Sequence, residues 1–247
     1  MFDDVRADEA ATVIASALSS DPGWLGPTDV AALLDSYGIR RVDERLADTP
    51  VEAAEQAAAL GFPVALKASA EGLVHKTEVG AVRVGLTTAD EVESEARDMA
   101  ERLRQAGVER TSFVVQRMVT SAVEIIVGVV NDEVFGPIAA VGAGGTTAEV
   151  LGDVSVRLTP LSDTDVSEMI RSLRIAPLLA GYRGARASDV AALEETVLRV
   201  GALVEAHAEI TELDCNPVAV TADGAFVLDA RIRIGPSAPE PLFGSKA

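Results

Sequence analysis

Between Ile39 and Met118 the chain alternates strand-like and helix-period runs in the order β-α-β-β-α-β, and no other feature restricts its fold as much. The expected strands are Ile39–Val42, Pro63–Ala68, Ala81–Leu86 and Thr111–Met118. Pro50 opens the first helix, where its missing N–H is not needed, and Gly61 closes it. Thr88 and Glu91 predict a capping box for the second helix, which runs to about Ala106. This order is that of a split βαβ lobe, an α+β arrangement.

The flanking regions read differently. A helix over roughly Asp8 to Leu18 comes first, and a Thr28-capped helix runs to Tyr37, with Gly38 past its end. After the lobe, Val123–Val130 and Val134–Val141 flank Asn131-Asp132, a hairpin signal. Helical periods cover about 163–173 and 188–206, and a last hairpin joins about 209–220 to 225–232 across Asp223-Gly224. The expected division is an N-terminal helical extension at 1–22, an N-lobe at 23–118 and a C-lobe at 119–235. A cleft is expected between the lobes, and a loose tail at 236–247.

Composition narrows the class. A net charge of −18 repels nucleic acid and anionic lipid, so neither is an expected partner. The lone Cys215 forms no internal disulfide, and the start lacks a basic segment followed by an apolar one. No apolar run approaches the ~20 residues that span a bilayer. A cytoplasmic protein is expected.

Lysine and histidine are scarce: Lys67, Lys76 and Lys246, with His75 and His207. Lys67, His75 and Lys76 nevertheless fall within ten positions. Lys67 ends a strand and faces a loop punctuated by Gly72 and Gly80. Such a loop can drape backbone N–H groups over a polyphosphate, with lysine as a point charge on the α- and β-phosphates. His75 can accept a phosphoryl group or move a proton near neutral pH. An ordinary polar hairpin loop is the competing reading, and no Gly-Lys-Ser/Thr opens a helix here. His207 lacks such a context and is assigned to structure.

A second group lies in the last hairpin. Asp214 and Asn216 share one strand face, and pairing across Asp223-Gly224 brings Asp229 and Arg231 to that face for a loop of either two or four residues. Oxygen ligands so placed suit Mg²⁺ or Mn²⁺ completed by water and phosphate. The alternative is a polar face held by an Asp–Arg ion pair. The glycine run around Gly144 and Gly145, followed by Asp153 and Arg157, can approach phosphate but lacks a dinucleotide fingerprint. Gln116, Arg117, Met118 and Val119, then Glu124, mark a strand end whose backbone can read an adenine edge.

Four segments, in order, resemble the ATP-grasp fold, and more narrowly the ATP-grasp subunit or domain of NDP-forming acyl-CoA synthetases, relatives of succinyl-CoA synthetase. They are GFPVALKASAEGLVHKTEVGAVRVGL, VVQRMVTSAVEIIVGVVNDEVFGPIAAVGAGGTTAEVLGDVSVRLTPL, LLAGYRGARASDVAAL and ELDCNPVAV with GAFVLDARI. The resemblance implies that Lys67 contacts nucleotide phosphates, with Gly80 in the covering loop. It implies that Gln116 to Val119 read adenine, with Glu124 near the nucleoside. Asn216 and Asp229 match the Mg²⁺ ligands, with Asp214 as a third, and His75 matches a phosphoryl relay. Ala81 and Ala122 stand where the family commonly has glycine, and Glu78 where it commonly has aspartate.

The implied reaction is acyl-CoA + ADP + phosphate ⇌ carboxylate + CoA + ATP. The chain would carry its nucleotide half, with ATP/ADP and Mg²⁺. A separate α-type subunit bearing CoA-binding and phosphohistidine domains would complete a hetero-oligomer. Two alternatives remain open at this point: an ATP-grasp ligase using an acyl-phosphate without phosphohistidine, and a non-catalytic nucleotide-sensing or scaffolding subunit.

Overall fold

The computed structural model describes residues 2–20, 22–69, 80–108, 111–120, 122–145 and 152–236. The chain divides into two compact units, Val42–Thr120 and Met1–Arg41 with Ser121–Ala247.

The smaller unit contains β1 (Glu44–Ala47), α3 (Pro50–Leu60), β2 (Val64–Ser69), β3 (Val82–Leu86), α4 (Ala89–Gln105) and β4 (Ser112–Arg117). The strands form an antiparallel sheet in the order β1-β4-β2-β3, so β4 splits the β1-α3-β2 unit as expected. Thr49 Oγ1 accepts from the Glu52 N–H to start α3, and Gly61 at φ 84 ends it. At α4, Thr88 accepts from the Glu91 N–H, but the Glu91 carboxylate reaches the Thr87 N–H at 2.7 Å. The capping box is thus displaced by one residue. Val92, Ala96, Met99 and Leu103 recur on one face of α4 and bury against Val64, Leu66, Ala68, Phe113 and Val115. Alternation leaves Ala65, Lys67 and Ser69 on the other face of β2.

The larger unit contains α1 (Ala7–Ser20), α2 (Pro27–Ser36), β5 (Val123–Asp132), β6 (Gly136–Ala143) and β7 (Val154–Leu158). After them come α5 (Asp163–Ser172), α6 (Ala176–Leu179), α7 (Val190–Ala206), β8 (Ile210–Thr221), β9 (Gly224–Val227) and β10 (Ala230–Ile234). Its sheet runs β10-β8-β5-β6-β7, with β9 also paired to β8. Ile125, Val127, Val129, Leu213 and Cys215 face the core with Leu193, Val197, Val200 and Leu203 of α7.

Several boundaries differ from expectation, each for a local reason. Residues 23–41 pack in the larger unit: Leu33, Leu34, Tyr37 and Ile39 are in its core. Ile39–Val42 is not a paired strand of the small sheet. The Arg40 carbonyl accepts from the Val227 N–H at 2.9 Å, so these hydrogen bonds go to β9 and the small sheet begins at Glu44. The β5–β6 turn lies beyond Asn131-Asp132, because Asp132 Oδ1 accepts from the N–H groups of Val134 and Phe135. The last hairpin is broken at Leu228-Asp229, so β8 pairs with β9 over one half and β10 over the other. Strand β7 was not expected; it forms the sheet edge, with Val154, Val156 and Leu158 exposed. The tail from residue 237 lies outside the described residues. Among the described residues no helix is long and apolar enough to cross a membrane.

Candidate functional site

In the larger unit, the acidic residues of the last strands do gather on one face. Asp214 on β8 pairs with Arg231 on β10 and with Gly128 on β5. The Asn216 N–H donates to the Asp229 carbonyl at 2.9 Å, which brings those two residues opposite each other one step along. A Cβ added at Gly128 would lie 3.7 Å from Asp214 Oδ1 and 3.3 Å from the Leu213 carbonyl, so glycine keeps the space beside the carboxylate open. Cys215 points to the opposite face and is fully buried, which drives its thiol pKa upward.

The charges on this face are unevenly balanced. Burial lifts the Asp214 carboxyl above its ordinary range; Arg231 opposes that rise, while Glu212 and Asp229 add to it. A side-chain hydrogen bond with Asn216 favours the carboxylate. Asp214 therefore sits where an additional positive charge is favoured. Among the described residues no three His, Cys, Asp or Glu side chains converge to cage a metal. Two carboxylates and one amide instead fit a hard cation that takes its remaining ligands from water and phosphate.

In the smaller unit, Lys67 occupies an inner strand, paired with Val82 of β3 and Val114 of β4. Gln116 shares its face two residues along β4, is only 4% exposed, and its Nε2 donates to Glu44 Oε2 at 3.1 Å. Glu44 had no sequence signal of its own; only the β1–β4 register reveals it. Arg117 donates to the Leu60 carbonyl at 3.1 Å, and the Met118 N–H to that of Pro63 at 3.3 Å. Both bonds fix the start of the 116–119 segment. The methyl of Ala81 is buried in the small core, so the departure from glycine is absorbed there. His75 and Lys76 lie outside the described residues.

Gly144 and Gly145 are shaped around Glu124. The Gly144 N–H donates to the Glu124 carbonyl at 2.8 Å, and a Cβ there would come within 2.8 Å of the Glu124 carbonyl carbon. At Gly145, φ +69, a Cβ would meet Glu124 Oε2 at 2.5 Å. Arg157 is on the edge strand β7, where it donates to the Val156 carbonyl at 2.9 Å and lies 3.8 Å from Glu168. Asp153 accepts from the Arg174 and Ile175 N–H groups at 2.8 and 3.0 Å and so serves as a backbone cap. His207 is buried at the end of α7 with Nε2 3.0 Å from the Tyr37 hydroxyl, in keeping with a structural role.

A family model described as an ATP-grasp domain matches residues 16–234. The chain belongs to the ATP-grasp family. Its mixed helices and antiparallel sheets are those of an ATP-grasp fold. Over 229 residues this ATP-grasp chain is 31% identical to the beta subunit of acetate–CoA ligase [ADP-forming] I of Pyrococcus furiosus, covering 92% of the chain and 98% of that subunit. It is 38% identical over 204 residues to acetate–CoA ligase [ADP-forming] II of Archaeoglobus fulgidus. That match takes in 83% of the chain but only 29% of the longer protein. Among solved structures, acetyl-coenzyme A synthetase 1 of Ca. Korarchaeum cryptofilum, in complex with coenzyme A and Ca-AMPCP, superimposes with a TM-score of 0.86 at 33% identity, covering 92% of this chain and 100% of that one. A second structure of that enzyme, with coenzyme A and Mg-AMPPCP, matches at 0.79 and 32% identity, with the same coverage. Its phosphohistidine segment points towards the nucleotide binding site.

Proposed function

We propose that this ATP-grasp chain is the nucleotide-binding subunit or domain of an ADP-forming acyl-CoA synthetase, exchanging a phosphoryl group between ATP and a histidine. The observation that carries the reading is the Asn216–Asp229 backbone bond, which aligns both residues with Asp214 on one open sheet face. The near-complete coverage of the P. furiosus beta subunit and the Mg-AMPPCP bound to the Korarchaeum enzyme support the same chemistry.

In this reading Lys67 neutralises charge on the nucleotide phosphates, and Gln116 to Val119 meet the base through their backbone. Asn216, Asp229 and Asp214 would hold Mg²⁺, which when bound supplies charge neutralisation at the phosphates. Phosphoryl transfer needs little covalent help from the protein, so positioning and electrostatics carry the rate. The γ-phosphorus forms a bond to an imidazole nitrogen as its bond to the β–γ bridging oxygen breaks, and ADP departs. His75 is the proposed acceptor or relay on this chain. The remaining steps are assigned to CoA-binding and phosphohistidine domains on a separate α-type partner. A cytoplasmic setting fits this chemistry.

The test combines the chain with its partner and follows ATP formation from ADP, phosphate and acyl-CoA. Wild type forms ATP; Lys67→Met and His75→Ala abolish it. Retention of most activity by His75→Ala would move the mechanism to a direct acyl-phosphate route.

A further inference from the structure

The segment that enters β3 is held from outside the sheet. Gly80 has φ +64, a left-handed conformation, and its carbonyl accepts from Arg102 Nη2 at 3.2 Å. The same nitrogen donates to Glu95 Oε1 at 3.1 Å, and that oxygen also accepts from Arg83 Nη2 at 3.2 Å. Arg83 is on β3, whereas Glu95 and Arg102 are on α4. One carboxylate, its side chain only 16% exposed, thus ties β3 to α4 through Arg83 and orients Arg102 on its own helix. Burial works against its charge, yet Arg83 and Arg102 hold the Glu95 carboxyl below its usual range.

The consequence falls on the strand beside Lys67. The Ala68 N–H donates to the Ala81 carbonyl at 2.8 Å, and Val82 pairs with Lys67. A trans peptide fixes the Ala81 N–H antiparallel to the Gly80 carbonyl. Glycine alone would let that peptide plane rotate between conformations of either sign of φ. The bond from Arg102 selects one orientation, immediately before the chain pairs with the Lys67 strand.

We propose that Arg102, oriented by Glu95, is a positioning residue for the nucleotide phosphates, acting through the Gly80–Ala81 peptide on the strand opposite Lys67. This rests on the reading of Lys67 as the phosphate contact. Arg102 touches no reacting atom, and its side chain is 44% exposed, so its loss is compatible with folding.

The full-length chain is titrated calorimetrically with the Mg²⁺ complex of a non-hydrolysable ATP analogue, and each variant is also melted. Arg102→Met is expected to bind about tenfold more weakly, the effect of one lost charge-assisted hydrogen bond on a positioned peptide. Arg102→Lys recovers part of that loss, and Glu95→Gln weakens binding in the same direction, which preserves the test if Arg102→Met folds poorly. Arg97→Met, which removes a charge paired with Glu93 on the same helix, leaves binding unchanged. Wild-type affinity in both Arg102→Met and Glu95→Gln would overturn the proposal while leaving the nucleotide reading intact. So would an equal loss in Arg97→Met, which would reduce the effect to net charge. Failure of the wild type to bind the analogue would instead overturn the functional reading, and this inference with it.

Discussion

The Asn216 N–H donates to the Asp229 carbonyl over 2.9 Å, where β8 meets the break between β9 and β10. That bond sets the register that also places Arg231 opposite Asp214. A register slip of one residue would turn Asp214 towards the core and Cys215 outward. The buried, apolar environment of Cys215 makes such a slip unfavourable, so the hydrophobic pattern fixes the candidate metal face as well as the core.

Gly128 is expected to matter for ligand binding more than for folding. Its Cα faces Asp214, and a side chain there would fill the open space beside that carboxylate. Gly128→Val should weaken binding of a Mg-nucleotide by about tenfold, while overpacking against the Leu213 carbonyl costs about 1–3 kcal/mol of stability. Calorimetric titration together with urea denaturation separates the two effects.

Gly144 should be intolerant of alanine for steric reasons. The added methyl would lie 2.8 Å from the Glu124 carbonyl carbon and 3.0 Å from the Ile125 nitrogen, both backbone atoms that cannot swing away. Gly144→Ala should cost about 2–3 kcal/mol, compared with about 1 kcal/mol for Gly152→Ala, whose φ of +53 is strained but whose surroundings are open. Urea midpoints of the two variants check the ranking.

His207 provides a pH dependence with a definite sign. Burial pushes its pKa below the unfolded value of 6.5, with Glu209 partly opposing that shift. The folded protein therefore favours neutral imidazole, and the unfolded chain binds the extra proton first. Stability is fully present above pH 6.5 and falls as the pH drops below it, until the folded protein also protonates. Thermal melts between pH 7.5 and 5.5 should show this decline, above the range where the paired carboxylates titrate. His207→Gln, which can still bond the Tyr37 hydroxyl, should flatten it.

Arg199 fastens the N-terminal residues to α7. It is 8% exposed and donates to Asp4, Glu195 and the Tyr37 carbonyl, with its guanidinium 4.1 Å from the Phe2 ring centroid. Arg199→Met leaves the buried Tyr37 carbonyl without this donor and should destabilise the protein by about 2 kcal/mol. Arg199→Lys should restore less than half of that, because an ammonium group cannot reproduce the planar fork of donors. Urea denaturation of both variants measures the difference.

The sequence made the small unit legible because its cues are local. Pro50 opens its helix and Thr88 caps the next, and the β-α-β-β-α-β order appears in the sheet. The face shared by Asp214, Asn216, Asp229 and Arg231 followed from strand alternation alone, for either turn length. What escaped depends on distant partners. Residues 23–41 read as the start of the N-lobe, yet Leu33, Leu34 and Tyr37 bury against residues more than 80 positions away, such as Ile125 and Val204. The Glu44–Gln116 bond and the space at Gly128 each require a sheet register to be known. The short run Val154–Leu158 does alternate, but its valines face outward on an edge, so no apolar-in pattern marked it as a strand.

A metal held by the Asn216–Asp229 face makes ADP binding depend on Mg²⁺. Calorimetric titration of the wild-type chain should show ADP binding that strengthens markedly with Mg²⁺. In Asp229→Asn and Asn216→Ala that enhancement should fall by about 10- to 100-fold, the scale of losing a contact to a charged group, with melting temperatures near wild type. ADP binding that is equally tight with and without Mg²⁺, or an undiminished Mg²⁺ enhancement in both variants, would contradict the account.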